Sequence, residues 1–202
     1  MRAAAFFLLF LFALLTVALH RAASPAAAKP GDLRLSSIAS ELARRHVVVH
    51  CEGAGDNLTG VDGESGRTMF IDGQPADETF LLVGICERLH SYSQLTKTGV
   101  DCLLPCDGST LETAWSLNAL AHESYHLWGA QEEAKAECYG LQSIFYVANR
   151  LGAPLEEAKA LGRLYWTSVY RQHGTQWPKY YSADCRNGGR LDLRQADSRW
   201  PE

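Results

Sequence analysis

His122-Glu123-Ser124-Tyr125-His126 sets two imidazoles four residues apart, with a carboxylate directly after the first. On an α-helix, side chains at i and i+4 share a face with Cβ atoms about 5–6 Å apart, so both rings can converge on one metal ion. Glu123 is turned about 100° around the axis from His122. That places it beside the ion rather than among its ligands, where it can take a proton from metal-bound water. Two His, one carboxylate and an open position for water are the donor set of a catalytic zinc site, so zinc is the expected ion. Bound zinc lowers the pKa of its water to about 7 and so supplies a nucleophile. A motif this short arises by chance often enough that its weight rests on its setting.

The neighbouring chain supplies that setting. Residues Leu111 to Trp128 contain no Gly or Pro and stop at Gly129, a residue that readily takes the left-handed conformation at a helix C-terminus. Asp107 to Thr110 offer helix-starting residues ahead of the run. A second helix is predicted from near Gln131 to about Arg150. A reversal at Gly129 returns it beside the first, so Glu133 and Glu137, four apart on one face, both approach the His pair. One can bind the metal while the other holds a ligand from behind. A third helix is predicted from Pro154 to about Arg171, with Glu156 and Glu157 in its first turn as the helix dipole prefers.

Upstream, Leu35 to Arg45 has helical spacing of apolar residues, and His46 to Cys51 is a β-branched run suited to a strand. Thr68 to Asp72 and Thr79 to Val83 are short strand candidates separated by the Asp72-Gly73 turn signal and Pro75. Ile85 to Tyr92 reads as a short helix. The expected fold is α+β: a small N-terminal three-stranded sheet with a backing helix, then the motif helix, the glutamate helix and a further C-terminal helix. The tail from Tyr180 is loop-like, and a disulfide from Cys185 would tie it down.

With those elements in place, HESYH followed by EAKAE resembles the zincin metallopeptidases, and most of all the gluzincin branch, whose third-ligand Glu lies on a separate helix. The resemblance spans about Asn118 to Gly140 and extends to exported bacterial proteins that carry a metallopeptidase motif. Some gluzincin-type families have E-x-x-A-D-x-x-A on the ligand helix. Glu133-Ala-Lys-Ala136-Glu137-Cys-Tyr-Gly140 fits with Glu for Asp and Gly for the last Ala, which makes Glu133 the first choice and Glu137 the second. His122 to Glu132 also reads H-E-x-x-H-x-x-G-x-x-E, near the metzincin pattern. The ligand there is His or Asp and no Met-turn follows, so Glu132 ranks third.

The resemblance implies a zincin-like metallopeptidase with Glu123 as general base and a peptide or protein as substrate. Thr79 to Val83 is then the expected sheet edge for an extended peptide. Tyr165, Tyr170, His173 and Tyr180 are candidate donors to the oxyanion. The alternative is a catalytically inactive zincin-like binding or cell-envelope protein stapled by disulfides.

Composition narrows the setting. The chain has 202 residues, 47% hydrophobic, with a formal net charge of −4. That balance offers no basic surface for nucleic acid. Residues 1–28 read as a signal peptide: Arg2, then an apolar stretch from Ala3 to Leu19, then small residues from Ala22 to Ala28. An uncleaved membrane anchor is the alternative. Either way residues 29–202 form one extracytoplasmic domain, expected to be a monomer, secreted if the segment is cleaved and membrane-anchored if it is not. Cleavage after Ala28 leaves 17 basic and 23 acidic side chains, a net charge of −6. All six cysteines, Cys51, Cys86, Cys102, Cys106, Cys138 and Cys185, fall after that point and suit an oxidising compartment. Sequence does not choose their pairing. Cys138 is read as a disulfide partner, with an inhibitory zinc thiolate as the alternative, and Asn57 heads a glycosylation sequon.

Overall fold

A computed structural model describes residues 30–52, 65–97, 109–196 and 200. The apolar segment at residues 1–28, the Asn57 sequon, Cys102 and Cys106 lie outside the described residues.

Helix α1 (Leu33–Ala43) starts where the Asp32 side chain accepts a hydrogen bond from Leu35 N at 2.9 Å, and it ends at Arg44 with φ 56°. Its buried residues Leu35, Ile38, Ala39 and Ala43 form one stripe, the pattern of a helix that backs a core. The chain returns as β1 (Val48–Glu52), held to α1 by the Ser36 hydroxyl, which accepts from Val49 N at 2.9 Å. Strands β2 (Gly66–Ile71) and β3 (Gln74–Leu82) form a hairpin. Its two turn residues, Asp72 (φ 52°) and Gly73 (φ 77°), both have positive φ, as a type I′ turn requires.

The sheet order is β1-β3-β2, with β1 parallel and β2 antiparallel to β3. The strand containing Thr79 is therefore central, and the expectation that it forms the sheet edge is corrected: β2 is the outer strand nearest the motif helix. Strand β3 also runs through Pro75, expected to separate the two strands. Its pairing with β1 begins only at Glu78, so the missing proline N–H costs no ladder bond on that side. The Arg45 guanidinium donates to the Pro75 and Ala76 carbonyls there.

Strand β3 passes directly into α2 (Val83–Lys97), which is longer than the Ile85 to Tyr92 helix expected from sequence and takes in Val83, a residue the sequence pattern assigns to the strand. A disulfide between Cys51 and Cys86 ties its first turn to β1. Helix α3 (Ser109–Trp128) is buried on nearly every side from Thr113 to Leu127, because α1, α2, β2 and β3 all pack against it, as do α4 (Glu133–Leu151) and α5 (Leu155–Tyr165). Gly129 (φ 111°) stops it, with Ala130 N donating to the Tyr125 carbonyl and Gly129 N to the His126 carbonyl. That is a Schellman ending, and Gly152 repeats it after α4.

The third predicted helix is not continuous. After α5 the chain makes a π-helical turn at Trp166–Tyr170 and resumes as α6 (Arg171–Gln176), then a short 3₁₀ turn at Pro178–Tyr180. Tyr165 and Tyr170 are both buried. Five residues apart, they would diverge on a regular α-helix, and the wider turn lets both face the core. The loop after Tyr181 is fastened to α4 by the Cys138–Cys185 disulfide. Gln142 adds a bond to the Leu191 carbonyl and one from Leu193 N, at 2.7 and 2.8 Å. Residues from Gly31 on form one packed unit. Among the described residues no helix is long and apolar enough to cross a membrane.

Candidate metal centre

The hairpin of α3 and α4 depends on one close approach. A Cβ at Gly140 would stand 2.8 Å from Asn118 Oδ1 and 3.0 Å from His122 N, so only glycine lets α4 lie this near the motif. The approach brings Glu133 and Glu137 to opposite sides of the His122 ring. Oε2 of Glu133 is 3.1 Å from His122 Nε2 and 3.3 Å from His126 Nε2. Oε2 of Glu137 is 3.0 Å from His122 Nδ1.

His122, His126 and Glu133 form a group that could hold a metal ion, their ligand atoms all within 4.8 Å of one another. The hydrogen bonds around the rings favour that use. Each Nδ1 faces an acceptor, Glu137 for His122 and the Ala130 carbonyl for His126. A proton held at Nδ1 leaves the lone pair on Nε2, and the two Nε2 atoms are 2.9 Å apart. Two lone pairs and a carboxylate oxygen thus converge on one point, an arrangement that demands positive charge there. Burial works against a charged His122, but hydrogen bonds to Glu133 and Glu137 and the charges of Glu137 and Glu123 raise its pKa to about 10. Glu133 shows the converse: burial raises its pKa, and the adjoining histidines, His122 first, outweigh this and hold it well below the usual carboxylate range.

Glu137 lies outside the three-residue group and behind His122. It is 3% exposed, and its oxygens also accept from Asn118 Nδ2 at 3.0 Å and the Tyr165 hydroxyl at 2.7 Å. Burial alone would raise its pKa, but the His122 and Tyr165 bonds lower it. Glu132 is exposed at the N-cap of α4. Cys138, next to Glu137, is in the disulfide with Cys185.

Glu123 faces the sheet. A Cβ at Gly66 would be 2.8 Å from Glu123 Cγ, and Oε2 of Glu123 accepts from the Thr68 hydroxyl at 2.8 Å and the Thr79 hydroxyl at 3.3 Å. Sequence reading passed over Thr68, Thr79 and Gly66, since threonine in a strand is explained by β-propensity alone. Asn118 was legible in principle, lying one helical turn before His122 on the same face.

These groups line a cleft of 270 Å³. Phe70 meets the His126 ring edge-on at 6.0 Å, while Trp115 and Trp177 pack edge to face at 6.3 Å on the cleft wall. Of the four expected oxyanion donors, Tyr165 is committed to Glu137 and Tyr170 to the backbone of Ser182. The Tyr180 ring is 5.9 Å from that of His122. His173 is buried in the cleft lining, and among the described residues neither ring nitrogen is hydrogen-bonded. Its pKa is lowered by burial, with Glu137 partly opposing this.

The fold and site together define an α+β protein, disulfide-bonded and so suited to an oxidising compartment, with a His-His-Glu group able to hold a metal ion. No protein-family model, no curated protein and no solved structure matches the chain.

Proposed function

We propose that this is an exported, zincin-like zinc metallohydrolase that cleaves peptide bonds, its first 28 residues serving as the export signal. The observation that supports the reading best is the convergence of His122 Nε2, His126 Nε2 and Glu133 Oε2 in a cleft that also holds Glu123. The donor set suits zinc, with two imidazoles, one carboxylate and room for water. When bound, zinc activates that water and polarises the scissile carbonyl.

The chain's own residues divide the rest of the work. Glu137 fixes the tautomer and the ring orientation of His122, and the Ala130 carbonyl does so for His126. Glu123 takes the proton of the attacking water and passes it to the leaving amine. His173, whose ring nitrogens make no hydrogen bond among the described residues and whose Nδ1 lies 3.7 Å from Glu137 Oε1, donates to the oxygen of the tetrahedral intermediate. The outer edge of β2 lies beside α3 and offers backbone groups to an extended substrate.

The test is zinc stoichiometry on the purified protein, together with cleavage of a peptide library by wild type and Glu123→Gln. One zinc per chain is expected in both, with turnover reduced about 10²- to 10⁴-fold in the variant. Absence of zinc after chelator-free purification would sink the site. Bound zinc without cleavage by wild type would instead leave a binding protein.

A further inference from the structure

Glu123 must stay in one place while it gains and loses a proton, and the three-stranded sheet contains a device suited to that. Thr68 and Thr79 are direct cross-strand partners on β2 and β3, with hydroxyl oxygens 2.8 Å apart. Both face Glu123, and both approach the same carboxylate oxygen, Oε2. Thr79 is fully buried, and its oxygen is also 2.9 Å from the Arg67 carbonyl. Oε1 makes no hydrogen bond among the described residues, and Glu123 lines the cleft.

We infer that Thr68 and Thr79 are positioning residues for Glu123: the Thr68 hydroxyl anchors Oε2, Thr79 backs the pair from the neighbouring strand, and Oε1 is left for the proton in transit. The inference rests on the proposed role of Glu123 as base. A hydroxyl carries one hydrogen and accepts as well. The Thr79 hydroxyl donates to the Arg67 carbonyl at 2.9 Å, and the single Thr68 hydrogen is directed to Oε2 at 2.8 Å. That bond survives the transfer, because Oε2 is an acceptor both in the carboxylate and in the acid protonated on Oε1. The donors are also neutral. An arginine or lysine in their place would hold the carboxylate equally well but would stabilise its charge, and so weaken it as a base. The Gly66 contact belongs to the same device, since any larger residue would push β2 away from Glu123.

Three variants test this: Thr68→Val and Thr79→Val, which keep the shape and remove the hydroxyl, and Thr68→Ser, which keeps the hydroxyl. Thr68→Val is expected to lower kcat on a cleavable peptide by about tenfold or more, with KM and zinc content unchanged, and Thr68→Ser is expected to restore most of the rate. A crystal structure of metal-free Thr68→Val gives a readout independent of turnover. There the Glu123 carboxylate should leave its position while His122, His126 and Glu133 stay. An unmoved Glu123 in that structure, or equal losses in Thr68→Val and Thr68→Ser, overturns the inference. If wild type cleaves no peptide, the hydrolase reading falls, yet the variant structure still decides whether the threonines hold Glu123. Should buried Thr79→Val fail to fold, half-buried Thr68→Val carries the test alone.

Discussion

Helices α3 and α4 meet across Gly140 and bring ionisable side chains together: His122, His126, Glu133 and Glu137. Strands β2 and β3 approach the same cleft with two neutral hydroxyls and a glycine. The two regions bear different loads. In the hairpin, charges hold one another, so removing one leaves its partner buried and uncompensated. In the sheet, neutral donors hold a charge from one side, so removing one releases the carboxylate without stranding another ion. Electrostatic stability is thus expected to reside in the hairpin, and the placement of Glu123, the proposed base, in the sheet.

That contrast sets the order of expected effects. Glu137→Ala should be the most damaging, at about 3–5 kcal/mol in urea unfolding, because His122, Asn118 and Tyr165 all lose their acceptor at once. Glu133→Ala should cost less stability in the metal-free protein, since its side chain is 35% exposed, but should remove zinc. If it destabilises more than Glu137→Ala, the division between a binding and a supporting carboxylate fails.

The ion-free hairpin should also respond to pH. His122 has its pKa raised from 6.5 to about 10, so its charged form contributes stability fully present below pH 6.5 and lost as pH rises toward 10. Chelator-treated protein should therefore unfold at lower urea at pH 9 than at pH 6 as far as this group decides, and zinc should abolish the difference. Glu133 and Glu137, with lowered pKa values, contribute stability that is present above about pH 4.3 and lost on acidification below it.

Gly140→Ala comes next, at about 1–3 kcal/mol, because its methyl must displace Asn118 or the backbone at His122. Thr68→Val should be the mildest, at about 1 kcal/mol in unfolding, despite its effect on turnover. A large stability loss there would erase the contrast between the regions.

Much of the helical hairpin was legible because its signals are local. Gly129 and Gly152 mark ends that backbone geometry dictates, and the i, i+4 spacing puts both histidines on one face whatever surrounds them. Glu133 and Glu137 share a face for the same reason, but which carboxylate would face Nε2 and which Nδ1 depended on the depth at which Gly140 lets the helices meet. The sheet was less legible. Pro75 reads as a breaker until β1 is known to stop short of it, and strand order is invisible to a pattern of alternation. The π-turn at Trp166 answers to the packing of Tyr165 and Tyr170, which no local propensity encodes.

Sequence by itself determined the chemistry available here: two imidazoles and a carboxylate on one helix, two more carboxylates on the next, and cysteines suited to an oxidising compartment. Only the tertiary structure decided how those groups are used. It joined Cys51 to Cys86 and Cys138 to Cys185, set Glu133 before the histidines and Glu137 behind them, and brought Thr68 and Thr79 to Glu123 from 55 and 44 residues away in the chain. The physical reason is range. Helical periodicity acts over four residues, whereas a hydrogen bond across a packed cleft exists only after the sheet and the helices have buried their shared core.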